Sequence, residues 1–143
     1  MKLVRKIMRK IFIVLEIALV IALVWSAYVS CASYRYLKEH GYGKSEIPKV
    51  LAVYYHLSDG FTLKSSKDGS SEFIGNADST YYEDSWKPSE YKYSDRLGRT
   101  IFYVAKDKKT KPQKFEIDLT EDSCHWFAIY QMDHGQTIEK VKK

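Results

Sequence analysis

The chain has 143 residues, room for one folded domain beside a membrane segment. Its formal charge of +5 would suit a nucleic-acid binder, but Lys2, Arg5, Lys6, Arg9 and Lys10 all precede the first acidic residue. Beyond residue 32 the chain is close to neutral, with 18 basic residues against 17 acidic ones, so the basic balance is confined to the N-terminal flank and a nucleic-acid partner is excluded.

Residues 1–10 form a short basic arm, too small to fold. Residues 11–32, IFIVLEIALVIALVWSAYVSCA, contain one charged side chain, Glu16. As a helix this run is about 33 Å long, enough to cross the hydrocarbon core of a bilayer, and it is too apolar on every side for a soluble fold. It is predicted to be a transmembrane helix. The five basic residues before it outweigh the mixed charges after it, Arg35, Lys38 and Lys44 against Glu39 and Glu46. The positive-inside bias therefore sets the N-terminus in the cytosol and the C-terminal domain on the extracytoplasmic side of the cell membrane. Trp25 and Tyr28 suit the aromatic belt at the outer interface.

A basic start, an apolar run and small residues also describe a signal peptide. Ser30-Cys31-Ala32 resembles a cleavage site, and Tyr28-Val29-Ser30-Cys31 a degenerate lipoprotein box that would put a lipid on Cys31. The run exceeds the usual h-region of about 7–15 residues, and Tyr28 replaces the usual leucine, so the uncleaved signal-anchor is the preferred reading. All three readings deliver the same domain to the same side.

Within the span, Ala18, Ala22, Ser26 and Ser30 recur every fourth residue and share one face, a stripe that lets two helices approach and form a homodimer. Alternatively, small residues are merely common in such helices. Glu16 lies about 7 Å from the cytosolic boundary, close enough to reach headgroups or the Lys/Arg cluster. That reading is preferred to an intramembrane proton or partner contact.

Residues 33–49 read as a helix extension and linker: the helix runs to His40, Gly41 supplies a left-handed cap, and Gly43 and Pro48 prevent its resumption. Tyr36-Leu37-Lys38-Glu39-His40-Gly41-Tyr42, followed by Ser45-Glu46-Ile47, resembles the start of a group of small, uncharacterised, membrane-anchored proteins of Gram-positive bacteria. The resemblance covers residues 1–57. It implies a bacterial cell-envelope protein with short strands after the helix, and implies no chemistry.

Residues 50–143 read as a mainly-β domain. The run 50–57, VLAVYYHL, is apolar and β-rich, and Ser58-Asp59-Gly60 turns it into Phe61–Lys64. Ser66–Ser71 is a second turn cluster. The segment 100–105 lacks a polar face and suits a central strand. Phe115, Ile117 and Leu119 alternate with Glu116 and Asp118, a half-buried strand. The segment 124–131 is another apolar run, and a short last strand is expected at 137–141. Six to eight short strands at this spacing predict an antiparallel sheet, sandwich or small barrel. Such a domain buries roughly 60–68% of its unfolded surface, enough for a core without disulfides.

Catalytic signals are few. Cys124 and His125 are neighbours that point to opposite faces of a strand and cannot pair readily. His40, His56 and His134 are scattered, and no metal-ligand spacing or cofactor fingerprint occurs. Glu83-Asp84 and Glu121-Asp122 are acid pairs able to hold calcium weakly, or simply solvated. The least ordinary stretch is 81–93, with Tyr81, Tyr82, Trp86, Tyr91 and Tyr93 among acids and lysines. Exposed, these rings would suit a sugar or an extended peptide; folded inward, they would form the lid of a core poor in Leu and Ile. The lysine-rich loop 106–114 suits a solvated hairpin tip, or a contact with anionic headgroups or wall polymers.

The sequence is thus expected to encode an anchored accessory module, without cofactor or catalysis, that binds an envelope protein or cell-wall component. The alternative is a carbohydrate- or peptide-binding, or hydrolytic, module built on the 81–93 loop with Glu83, Asp84 or Glu90.

Overall fold

The 38 residues Lys2–Glu39 form one unbroken helix, α1, in a computed structural model that describes residues 1–120 and 124–142. No Gly or Pro interrupts it, and its exposed faces are apolar along the expected span. It stops where the sequence supplies a stop. Gly41 adopts φ +81°, the Tyr42 amide donates to the Leu37 carbonyl (2.9 Å), and the Gly41 amide donates to that of Lys38 (3.1 Å). This is the Schellman arrangement, completed by packing of Tyr42 against Leu37.

The chain then reverses through a single 3₁₀ turn, Lys44–Glu46, into a second helix, α2, Ile47–Tyr54. The expected strand at 50–57 is therefore corrected. Pro48 does not block a helix here, because in the first turn its missing N–H has no helical partner to lose. Val50 and Val53, three apart, are buried together against α1 and the sheet. An apolar run of this length satisfies either period, and packing overrides β-propensity.

Six strands follow: β1 Gly60–Ser65, β2 Ser71–Gly75, β3 Tyr91–Leu97, β4 Thr100–Ala105, β5 Lys114–Leu119 and β6 Ala128–Met132. They make one antiparallel sheet in the order β1-β2-β6-β5-β4-β3. A helical turn, α3 (Tyr81–Asp84), and a terminal helix, α4 (Ile138–Lys142), complete the chain. The fold is thus an N-terminal apolar helix followed by a small mainly-β domain. Its sheet is neither doubled into a sandwich nor closed.

The strand expected at 137–141 is α4. Its Ile138 and Val141, three apart, are buried against the sheet, and the Thr137 hydroxyl accepts from the Lys140 amide (3.3 Å). The Glu139 carboxylate meanwhile reaches Thr62, accepting from its amide (2.7 Å) and from its hydroxyl.

Two cores lie on opposite faces of the sheet. On one, Phe73, Tyr103, Phe115, Ile117 and Tyr130 pack beneath Tyr82, Trp86 and Tyr91, with Ile138 and Val141 beside them. On the other, Ile74 and Ile129 meet Leu37, Val50, Val53 and Phe127. Residues 33–49 are therefore no spacer: Leu37, Tyr42 and Ile47 are part of the second core, and Ser33 is fully buried.

Candidate interaction site at the helix–domain junction

Strand register gives the sheet two ends. Helix α1 packs against α2, and the end of α2 meets the loop before β6 beside Trp25. At this junction Trp126 is the hub. Its ring lies edge-on to Trp25 (5.7 Å between centroids), Tyr28 (6.0 Å) and Tyr54 (5.6 Å), and His125 packs on it at 5.6 Å. Edge-to-face pairs of this kind each contribute about 0.5–1.5 kcal/mol beyond their buried area.

Polar groups lock the same junction. The Trp25 indole N–H donates to the Tyr54 hydroxyl (2.9 Å), and Ser26 Oγ shares a hydrogen bond with the Tyr55 hydroxyl (2.7 Å). Ser30 Oγ donates to the Ser26 carbonyl (2.7 Å). Of the small-residue stripe, Ser26 and Ser30 are therefore occupied by the chain's own domain and by helix backbone, while Ala18 and Ala22 remain exposed. The basic residues Lys2, Arg5, Lys6, Arg9 and Lys10, and Glu16, also lie on exposed helix surface.

A cleft of about 190 Å³ opens at this end, lined by Tyr54, His56, Asp78, His125 and Trp126 among others. Asp78 is committed locally: it accepts from the Thr80 amide (3.0 Å) and hydroxyl (2.7 Å), bonds that hold its carboxyl below the ordinary range. Among the described residues no three His, Cys, Asp or Glu side chains converge as a metal site. Cys124 and His125 lie in the loop before β6 rather than in a strand. Burial raises the Cys124 thiol pKa, the opposite of an activated nucleophile. The pair Glu121-Asp122 lies outside the described residues.

The 81–93 stretch is the cover of the larger core. Tyr82, Trp86 and Tyr91 are buried, Tyr81 is half-buried, and Tyr93 alone of the five is more than a third exposed, at 38%. Tyr82, Trp86 and Tyr91 pack edge-on to Phe73, Tyr103 and Phe115, the inward arrangement of a core lid, while Tyr93 keeps an outward face. The buried hydroxyls of Tyr82, Tyr103 and Tyr130 are turned to backbone. Tyr82 Oη donates to the Asp59 carbonyl (2.8 Å) and accepts from the Asn76 amide (2.9 Å). Tyr130 donates to the Asn76 carbonyl (2.7 Å), Tyr103 to that of Tyr82, and Tyr81 to the Asp59 carboxylate. Tyr81, Tyr82, Tyr103 and Tyr130 share one design: each ring packs with the core while its hydroxyl satisfies an irregular segment.

Beside the lid, a groove of about 300 Å³ borders Trp86, Lys87, Tyr93 and Lys106. Two of its charged groups are engaged, Glu83 by Arg96, and Lys106 by the carbonyls of Pro88 (3.1 Å) and Ser89 (2.9 Å). The 106–114 loop is likewise self-tied, Asp107 accepting from the amides of Lys109 and Thr110, each at 2.8 Å.

Sequence reasoning found Trp25 and Tyr28 but not their partners Tyr54, Tyr55 and Trp126. The available signal was the aromatic pair 54–55 and the Trp126 step, both free of charged neighbours. It was hidden because 50–57 read as a strand with no reason to return to α1. No protein-family model matches the chain, and no curated protein or solved structure is similar enough to it to be matched. Helix α1, near the N-terminus, is long and apolar enough to cross a membrane.

Proposed function

We propose that this is a single-pass protein of the bacterial cell membrane, with its N-terminus cytosolic. Its extracytoplasmic β domain serves as an accessory module that binds another envelope component, a protein or a wall polymer. One observation carries the reading: α1 is at once the candidate span and a structural element of the domain. Val29, Ser33 and Leu37 are completely buried in it, so the domain is held at the end of the span and not on a tether. A module fixed in that way suits a partner met at the membrane surface, and it argues against cleavage near Cys31, which would strip Trp25, Ser26 and Val29 from their contacts. Pairing with a second copy through the span would rest on Ala18 and Ala22.

The decisive test is labelling of intact cells with a membrane-impermeant maleimide at Lys108→Cys, in a full-length chain carrying Cys31→Ser and Cys124→Ala. Labelling before lysis is expected, and labelling only after lysis overturns the topology. Photocrosslinkers on the face of β4 opposite Tyr103, at the half-buried Phe102 and Val104, should then yield a discrete adduct in the membrane fraction. Their failure to capture any envelope component would overturn the module.

A further inference from the structure

We infer that the domain is seated in the lipid of the leaflet through which α1 exits, and that Tyr54, Tyr55, Leu57 and Trp126 form the surface that enters the membrane–water interface. The inference rests on α1 crossing a membrane, and the helix then acts as a ruler. Trp25 lies fourteen residues beyond Ile11. At 1.5 Å per residue it is about 21 Å into a hydrocarbon layer some 30 Å thick, and tilt would set it deeper. Sliding the span one turn toward the N-terminus, with Lys6, Arg9 and Lys10 snorkelling, moves Trp25 outward by only about 5 Å. In either placement Trp25 and Ser26 stay at or within the outer boundary. The groups bonded to them, Tyr54 Oη at 2.9 Å and Tyr55 Oη at 2.7 Å, share that depth, as does the Trp126 ring.

The chemistry of this end fits such an address. Neither 53–57 (VYYHL) nor 124–127 (CHWF) contains Lys, Arg, Asp or Glu, and Asp78, the carboxylate that lines the cleft at this end, is bonded to the Thr80 amide and hydroxyl. Trp and Tyr are the residues that favour the headgroup level. The hydroxyls and the indole N–H that would be poorly hydrated there are bonded to one another, which removes the cost of taking them from water. His56, at φ +57°, turns the chain so that Leu57 projects outward, 79% exposed, with Tyr55 beside it at 44%. A leucine so exposed at the end of a folded domain, level with the aromatic belt, is covered if phospholipid lies below it.

The test uses the full chain with Cys31→Ser and Cys124→Ala, reconstituted in vesicles of phosphatidylethanolamine and phosphatidylglycerol. Nitroxide labels are placed singly at Leu57→Cys, Val20→Cys and Lys108→Cys, all exposed positions. Collision with oxygen and with a water-soluble nickel chelate reads depth at each. The Leu57 label is expected to be several-fold less accessible to nickel than the Lys108 label and shallower than the Val20 label. If the Leu57 label matches Lys108 while Val20 stays shielded, the seating is overturned and the span stands. If nickel reaches Val20 freely, the span itself fails, and the seating with it.

Discussion

The Trp25 indole N–H donates to the hydroxyl of Tyr54, 2.9 Å away, and so ties the candidate span to a helix 29 residues further along the chain. Tyr54→Phe keeps the ring that packs on Trp126 but leaves the indole N–H without its acceptor. The bond lies on an exposed surface, so its loss costs about 0.5–1.5 kcal/mol. The expected result is faster amide exchange in α2, with β4 and β5 unchanged in the detergent-solubilised full chain. Equal protection in the unmodified chain and in Tyr54→Phe would mean that the rings alone hold the junction.

The helix stripe provides a second prediction. Ser26 and Ser30 are engaged within the chain, whereas Ala18 and Ala22 face outward. If two copies pair, oxidative crosslinking in membranes forms a dimer through Ala18→Cys or Ala22→Cys and not through Ser30→Cys, in chains lacking the native cysteines. Efficient crosslinking at position 30 would show that the domain lets go of the helix on pairing.

How much of this was legible in the sequence differs by element. The α1 stop was, because Gly41 has a residue-specific job: a left-handed φ that few other residues accept. The β5 strand was, because Phe115, Ile117 and Leu119 alternate with acids on one half-buried sheet. The helix α2 was not, although Ile47, Val50, Leu51 and Tyr54 stand at helical spacing, because the unbroken apolar run 50–55 also suits a strand covered on both sides and Pro48 argued against a helix. The difference between a strand and a helix there is set by Leu37 and Ile74, residues distant in sequence. For the same reason, the inward turn of 81–93 was visible only as one of two alternatives. Ring orientation depends on Phe73 and Tyr103 beneath it, which no local pattern reports.

Gly75 is the position where that lid meets the sheet. A Cβ added there would fall on the Tyr82 hydroxyl and within 2.9 Å of both the Phe73 and Tyr130 rings. Gly75→Ala is expected to lower unfolding stability by about 1–3 kcal/mol, the usual cost of overpacking. Tyr82→Phe removes the clashing oxygen but also the bonds to Asp59 and Asn76, so it is destabilising alone. The double variant should lose less than the two single losses combined, a coupling measurable in a urea denaturation cycle. Simple additivity would mean that the lid shifts as a whole to accept the methyl.

The tyrosine-rich core also sets the response to alkali. Burial, then the hydrogen bond to the Asp59 carboxylate, pushes the Tyr81 phenol up to about 12. Burial raises Tyr82, Tyr103 and Tyr130 well above the usual value near 10, and burial together with Glu72 raises Tyr42. Each phenol is harder to ionise folded than unfolded, so its contribution is complete below pH 10 and falls as pH rises through the folded-state value. The domain should therefore hold its near-ultraviolet circular dichroism to about pH 10 and lose it cooperatively at and beyond about pH 12. The phenols of Tyr82, Tyr103 and Tyr130 would ionise only as the fold is lost, so their phenolate absorbance would rise together with the loss of dichroism. A single smooth rise, finished while the dichroism is intact, would mean that the Tyr82, Tyr103 and Tyr130 hydroxyls reach water in the folded domain.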